Sequence, residues 1–122
     1  MYGGKVEPMR RLRPREEDPW PDFYPGFFKE KGFVQVDIEK RDPIFGSLST
    51  SIVVNVAHYA EIKELPEEFE VLASNRDCPI QVIKHRRKLV YGTQFHPENY
   101  NEEHPDGKTV LRNFFKIAQV LT

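Results

Sequence analysis

Cysteine is nearly absent: Cys78 is the only one in 122 residues. No disulfide can form within the chain, and a reducing, cytoplasmic location is expected. Long apolar runs are missing too. None approaches the roughly 18 residues that span a bilayer, so a membrane-crossing helix is excluded. The opening MYGGKVEPMRRLRPR has basic residues with no apolar stretch behind them, unlike a signal peptide. Charge of one sign is not in excess. A net charge of −1 gives no general attraction to nucleic acid or to an anionic membrane, and neither is expected as a partner. Repeats and low-complexity tracts are absent. So is any Gly-x-Cys-x-Gly or Gly-x-Ser-x-Gly elbow of the kind that presents a nucleophile. His58, His85, His96, Glu98 and His104 lack the close spacing of a metal motif, and no metal site and no cofactor are expected.

What is present is aromatic mass. Nine Phe, five Tyr and one Trp supply a core to a chain that is 39% hydrophobic and 30% charged. At this length one domain, residues 1–122, buries roughly two-thirds of its unfolded surface. Its first 30 residues form a proline-rich, irregular segment within that domain. Pro8, Pro14, Pro19, Pro21 and Pro25 exclude a long helix or a central strand there. Trp20, Phe23, Tyr24, Phe27 and Phe28 are expected to hold it as an ordered surface loop. A nucleic-acid arm built on Arg10, Arg11, Arg13 and Arg15 is disfavoured by Glu16, Glu17 and Asp18 beside it.

From Phe33 the pattern has period two. FVQVDIEK places Val34, Val36 and Ile38 on one face and Phe33, Gln35, Asp37 and Glu39 on the other, as a half-buried strand does. SIVVNVAHY and FEVLASN read as further strands. EIKELPEE is charged, with Pro66 closing any short helix. CPIQVIKH and KLVYGTQF form a hairpin about the basic turn at Arg86–Arg87. In KTVLRNFFKIAQVL, Val110, Leu111, Phe114, Phe115, Ile117, Ala118 and Leu121 fall at helical spacing, with Asp106 or Gly107 as N-cap.

The chemistry gathers at YGTQFHPE, residues 91–98. His96 and Glu98 are two apart on an extended segment, so they point the same way, and Pro97 stiffens the link. A carboxylate beside one imidazole nitrogen fixes the tautomer and stabilises the imidazolium once the other nitrogen takes a proton. This is the base-and-orienter half of a nucleophile triad, although an ordinary polar turn has the same spelling. Cys78 precedes a proline and enters a strand, which reads as a small buried residue and not as the missing nucleophile.

YGTQFHPE also resembles the C-terminal signature of the class I glutamine amidotransferases. VNVAHYAEIKELPEEFEVLASNRDCPIQVIKHRRKLVYGTQFHPE, residues 54–98, follows that family's order, and DPIFGSL, HPDGKTVLRNFF and YGGKV fit its stand-alone members. The resemblance implies an α/β, flavodoxin-like sandwich, of which this chain is the C-terminal part, mostly strands plus a closing helix. It implies His96 and Glu98 as catalytic residues of a Cys-His-Glu triad that hydrolyses the side-chain amide of glutamine and releases ammonia. It implies Ala57, His58 and Tyr59 as substrate-binding residues. The substrate would be glutamine or a γ-glutamyl compound, once an N-terminal half completes the fold. Val56-Ala57-His58 departs from the family's usual Glu-Ser-His, and the nucleophile would lie upstream of Met1. The isolated chain is therefore expected to be inactive and to have a partner chain or to self-associate. The other reading is a non-catalytic, degenerate amidotransferase-like module that binds a partner protein.

Overall fold

The structure, a computed structural model, describes residues 4–120. Expectations resting on Tyr2, Gly3 and Leu121 lie outside them. Among the described residues seven strands and one α-helix follow in order: β1 Lys5–Pro8, β2 Glu30–Ile38, β3 Ser51–His58, β4 Ala60–Glu64, β5 Phe69–Ser74, β6 Val82–His85, β7 Tyr91–Thr93 and α1 Asp106–Val120. A short 3-10 helix, Pro43–Phe45, lies between β2 and β3. Five strands form one sheet in the order β3-β2-β5-β6-β7, and β1 pairs with β4 in a separate ribbon. Every one of these pairings is antiparallel.

The alternation in the sequence becomes the two faces of β2 and β3. Val34 pairs with Val54, and Val36 with Ile52. Val36, Ile52, Val54 and Val56 are essentially without solvent contact. Phe45, Leu72, Ala73, Val82 and Phe95 join them, and Val110 closes the core from α1, with Phe114 and Ile117 packed against it. Phe115, at helical spacing in the sequence, is turned outward instead and is 59% exposed. It lies about 100° around the helix from Phe114, off the stripe that Val110, Phe114 and Ile117 share. The hairpin falls where expected, with β6 and β7 paired from Val82–Thr93 to Lys84–Tyr91.

Two expectations are corrected. The EIKELPEE stretch contributes a strand, β4, and not a short helix. Register with β1 gives its backbone groups partners, while Glu61 turns inward. The first 30 residues are correspondingly less irregular than their prolines suggest, because Lys5–Pro8 form β1 and Pro8 closes it. A proline is tolerated in so short an edge ribbon. Beyond β1 the segment is a loop fixed by aromatic contacts. Trp20 stacks on Phe23 at 4.3 Å, and Tyr24 on Tyr59 at 3.8 Å between ring centres. Arg10 makes a two-pronged ion pair with Glu16, each bond 2.8 Å.

Asp42 ties the 3-10 helix to the hairpin. Its Oδ1 accepts from the Ile44 N–H (3.0 Å) and the Tyr91 hydroxyl (2.7 Å), and Lys84 lies 3.2 Å from Oδ2. Burial acts to raise the Asp42 carboxyl, but these hydrogen bonds outweigh it and hold it below its ordinary value of 3.8. Its folded value is thus the lower one. The stabilisation it provides is complete above the unfolded value near 3.8 and is lost as pH falls through the folded value. Asp42→Asn should flatten that part of the acid limb while leaving the slope at higher pH alone. Urea midpoints of both proteins from roughly pH 6 down to pH 2 check this. Parallel acid limbs would show that Asp42 does not carry the effect.

Candidate active site

β7 ends at Thr93, and the chain then crosses to the outer edge of β3. The Gln94 N–H still bonds back to the Gln81 carbonyl at 2.7 Å, and the Thr93 hydroxyl donates to the Phe95 carbonyl at 2.9 Å. Phe95, 2% exposed, anchors the crossing in the core. The next residue turns outward. The His96 N–H donates to the Asn55 carbonyl at 2.8 Å, so the backbone carrying the imidazole is bonded to β3. Two residues further along that edge, the Val53 N–H donates to Asp106 Oδ2 at 2.9 Å. Asp106, a candidate N-cap by sequence, is the first residue of α1, and its carboxylate satisfies the sheet edge instead.

His96 and Glu98 are brought together as the spacing predicts. His96 Nδ1 lies 3.4 Å from Glu98 Oε2, and both side chains are open to solvent, 44% and 60% exposed. That is a long, loose contact of the kind catalytic pairs show before substrate closes the site. The Asn99 N–H closes a tight turn on the His96 carbonyl (3.1 Å). Nε2 makes no hydrogen bond among the described residues and is free to take a proton.

Gly107, in the first turn of α1, sets how closely the helix approaches this turn. A Cβ there would stand 2.5 Å from the Pro97 carbonyl oxygen and 3.0 Å from its Cα. Both are backbone atoms that cannot swing aside. Glycine to alanine in a helix ordinarily stabilises by up to about 1 kcal/mol. Here the sign should reverse. We expect Gly107→Ala to cost about 1–3 kcal/mol, as overpacking does, and to speed hydrogen exchange at the His96 amide by loosening its bond to Asn55. Exchange unchanged from the parent would show that the helix does not brace the turn.

Ala57, His58 and Tyr59 lie at the junction of β3 and β4. Ala57 is on the face of β3 that Asn55 occupies, and Tyr59 is stacked beneath Tyr24. His58 faces the other way, into the core. It is directly opposite Glu30 in the β2–β3 register and 8% exposed. Its Nδ1–H donates to the Ala60 carbonyl and its Nε2 meets Glu30 Oε1, each at 2.7 Å. The carbonyl can only accept, so Nδ1 carries a proton. Glu30 also accepts from the amides of Gln81 (3.0 Å) and Asn75. Burial acts to raise Glu30, but the bonds from His58, Asn75 and Gln81 prevail and hold its carboxyl below the ordinary range. One proton lies between His58 Nε2 and Glu30 Oε1, so a buried hydrogen-bonded imidazole–carboxylate pair sits under the β3–β4 turn. Cys78 adjoins this group, fully buried, its N–H bonded to Asn75 Oδ1 at 2.8 Å. Burial first, then the Glu61 and Glu30 charges, push its thiol up to about 12. A thiol so placed is a poor nucleophile at neutral pH.

The inward pair was legible in principle. Extending the period-two pattern of β2 back from Val34 puts Glu30 in phase with the core face, and His58 is in phase with Val54 and Val56. A charged residue in core register calls for a partner of opposite charge.

Comparison with known proteins identifies the family. The profile of "Glutamine amidotransferase class-I" matches residues 2–118. The chain belongs to the class I glutamine amidotransferase family. It is 43% identical over 89 residues to a subunit of the glutamine-hydrolysing GMP synthase of Pyrococcus abyssi, covering 73% of this chain and 46% of that protein. To the corresponding GMP synthase subunit of Methanococcus vannielii it is 36% identical over 117 residues, 96% of this chain and 52% of that one. Among crystal structures, a Thermoplasma acidophilum protein described as a GMP synthase subunit superposes with a TM-score of 0.74 at 29% identity. The match covers 98% of this chain and 51% of that one. A Thermotoga maritima glutamine amidotransferase shares the fold, with a TM-score of 0.56 at 14% identity; the match covers 97% of this chain and 40% of that one. The chain spans about half the length of the GMP synthase relatives it matches.

Proposed function

We propose that His96 and Glu98 are the general base and its orienter in a Cys-His-Glu triad that hydrolyses the side-chain amide of glutamine. The observation carrying this reading is a loosely paired, solvent-open imidazole and carboxylate whose backbone is fixed to the edge of β3. The nucleophile is a cysteine on a segment outside these 122 residues, since Cys78 is buried among carboxylates. In the reaction His96 Nε2 takes the proton of that thiol, and the thiolate attacks the amide carbon. The tetrahedral intermediate collapses as His96 returns the proton to the departing nitrogen, giving ammonia and a γ-glutamyl thioester. Water, deprotonated by the same imidazole, then releases glutamate and restores the thiol. Glu98 holds the imidazole's tautomer throughout. Ala57, His58 and Tyr59 hold the substrate through their backbone, with the His58 ring anchoring the turn from beneath.

Kinship with the glutamine-hydrolysing GMP synthases favours ammonia delivery to a partner synthase chain over simple glutaminase action. One feature favours the alternative of a partner-binding module without catalysis: Ala57 has no hydroxyl to offer a substrate. Mixing the chain with a segment that carries a Gly-x-Cys-x-Gly elbow, and measuring ammonia from glutamine, separates the two. Catalysis predicts release dependent on both parts. Stable association without release would leave only the binding module.

A further inference from the structure

The group beneath the β3–β4 turn has the make-up of a metal site. Glu30, His58 and Cys78 come from β2, β3 and the β5–β6 connection. One donor atom from each lies within 4.8 Å of the others, and all three residues are buried. We propose that Glu30, His58 and Cys78 form a buried Zn2+ site.

Four observations support it. The first is the donor set. A thiolate, an imidazole and carboxylates suit zinc, whereas magnesium and calcium take all-oxygen sites. The second is the orientation of His58. A zinc-bound histidine donates its other ring N–H to a carbonyl or carboxylate, and Nδ1 already does so to Ala60 at 2.7 Å, aiming Nε2 at Glu30 and Cys78. The third is independent of those residues. Glu61 Oε2 and Gln81 Oε1 are buried without a hydrogen-bond partner. Glu61 is 7% and Gln81 1% exposed. The Gln81 amide reaches Glu30 at 3.0 Å, so its unpaired oxygen lies next to the group. A buried oxygen without a donor is costly, and a cation in this group would give the Gln81 oxygen a partner. The fourth is charge. A thiolate and one carboxylate carry −2, which balances Zn2+.

Binding exchanges protons for metal with no change of oxidation state. The proton between His58 Nε2 and Glu30 Oε1 and the S–H proton of Cys78 go to solvent, and Zn–N, Zn–S and Zn–O bonds form. Tetrahedral zinc keeps its nitrogen and oxygen ligands about 3.4 Å apart. The His58–Glu30 contact therefore has to open by about 0.7 Å. All three protein ligands are buried, which separates the site from the solvent-open His96–Glu98 pair.

The test uses the whole chain, stripped of metal with a chelator and titrated with Co2+ as a spectroscopic probe. The expected result is one equivalent bound with release of about two protons, tetrahedral d–d bands and a thiolate-to-cobalt charge-transfer band, and displacement by Zn2+ without further proton release. Cys78→Ser and His58→Gln should each weaken Zn2+ binding about 100-fold or more, beyond the loss typical of an outer partner. His96→Ala should leave the spectrum unchanged. X-ray absorption on the Zn2+-loaded parent needs no variant and settles the case even where Cys78→Ser does not fold: one sulfur at about 2.3 Å is expected. A zinc shell of nitrogen and oxygen only, a cobalt spectrum without the charge-transfer band, or one abolished by His96→Ala overturns the site.

Discussion

Replacing His96 by alanine in a reconstituted enzyme should remove ammonia release almost entirely. In the proposed mechanism the imidazole takes the thiol proton and returns it to the leaving nitrogen, and no neighbouring described group is placed to substitute. Among the described residues the only ionisable group bonded to it is Glu98, which bonds to Nδ1. Triad members act as a unit, and loss of the base alone costs on the order of a million-fold in kcat in a serine protease. A cysteine is partly ionised without help, so we expect a smaller loss here, about 10⁴-fold or more. Glu98→Gln should cost less than His96→Ala, because the bond it breaks is 3.4 Å long and solvent-open. Stopped ammonia assays at saturating glutamine distinguish these cases. A His96→Ala loss of tenfold or less would remove the imidazole from the chemistry.

The second large effect is on stability. Phe45, in the 3-10 helix, has no solvent contact and belongs to the core that α1 closes. The surrounding frame is pinned. Asn113 Nδ2 donates to the carbonyls of Ile44 (3.0 Å) and Gly46 (2.9 Å), and Asp42 holds the other end. A cavity at Phe45 therefore cannot collapse easily. Phe45→Ala should cost about 3–5 kcal/mol, about a fifth or more of the roughly 5–15 kcal/mol a domain commands. Phe45→Leu should cost about 1 kcal/mol. Urea unfolding should give a lower midpoint at unchanged slope for both. A loss under 1 kcal/mol for the alanine variant would mean that Phe45 does not hold the core.

Most of the fold could be read from period. Val34, Val36 and Ile38 alternate with polar neighbours, and they face the core because a strand gives them no other arrangement. The hairpin was legible from two apolar runs around a basic turn. β4 was not, because its pattern of Ala, Glu, Ile and Lys has too few apolar residues to show a period. Its partner β1 lies more than 50 residues away in a proline-rich stretch. Local propensity cannot see a pairing over that separation. Phe115 was misplaced for a related reason: its spacing fits a helix stripe, but only packing selects which stripe faces inward.

The candidate site divides the same way. His96 and Glu98 are close in sequence, and a stiff extended link fixes their relation, so three residues sufficed to find them. Glu30, His58 and Cys78 come from three separate stretches and are brought together only by the fold. Scanning for closely spaced ligands passes over such a group. Gly107 is equally silent, since its role depends on the backbone of Pro97 standing 2.5 Å from where a methyl group would be.

The central claim is that this chain holds the base of the triad and that its own cysteine is not the nucleophile. The most direct measurement is ammonia release from glutamine by the 122-residue chain, alone and mixed with an elbow-bearing segment, each with and without Cys78→Ser. The account predicts no release from the chain alone, release from the mixture, and no dependence on Cys78 wherever the variant folds. Release from the chain alone that disappears with Cys78→Ser would contradict it.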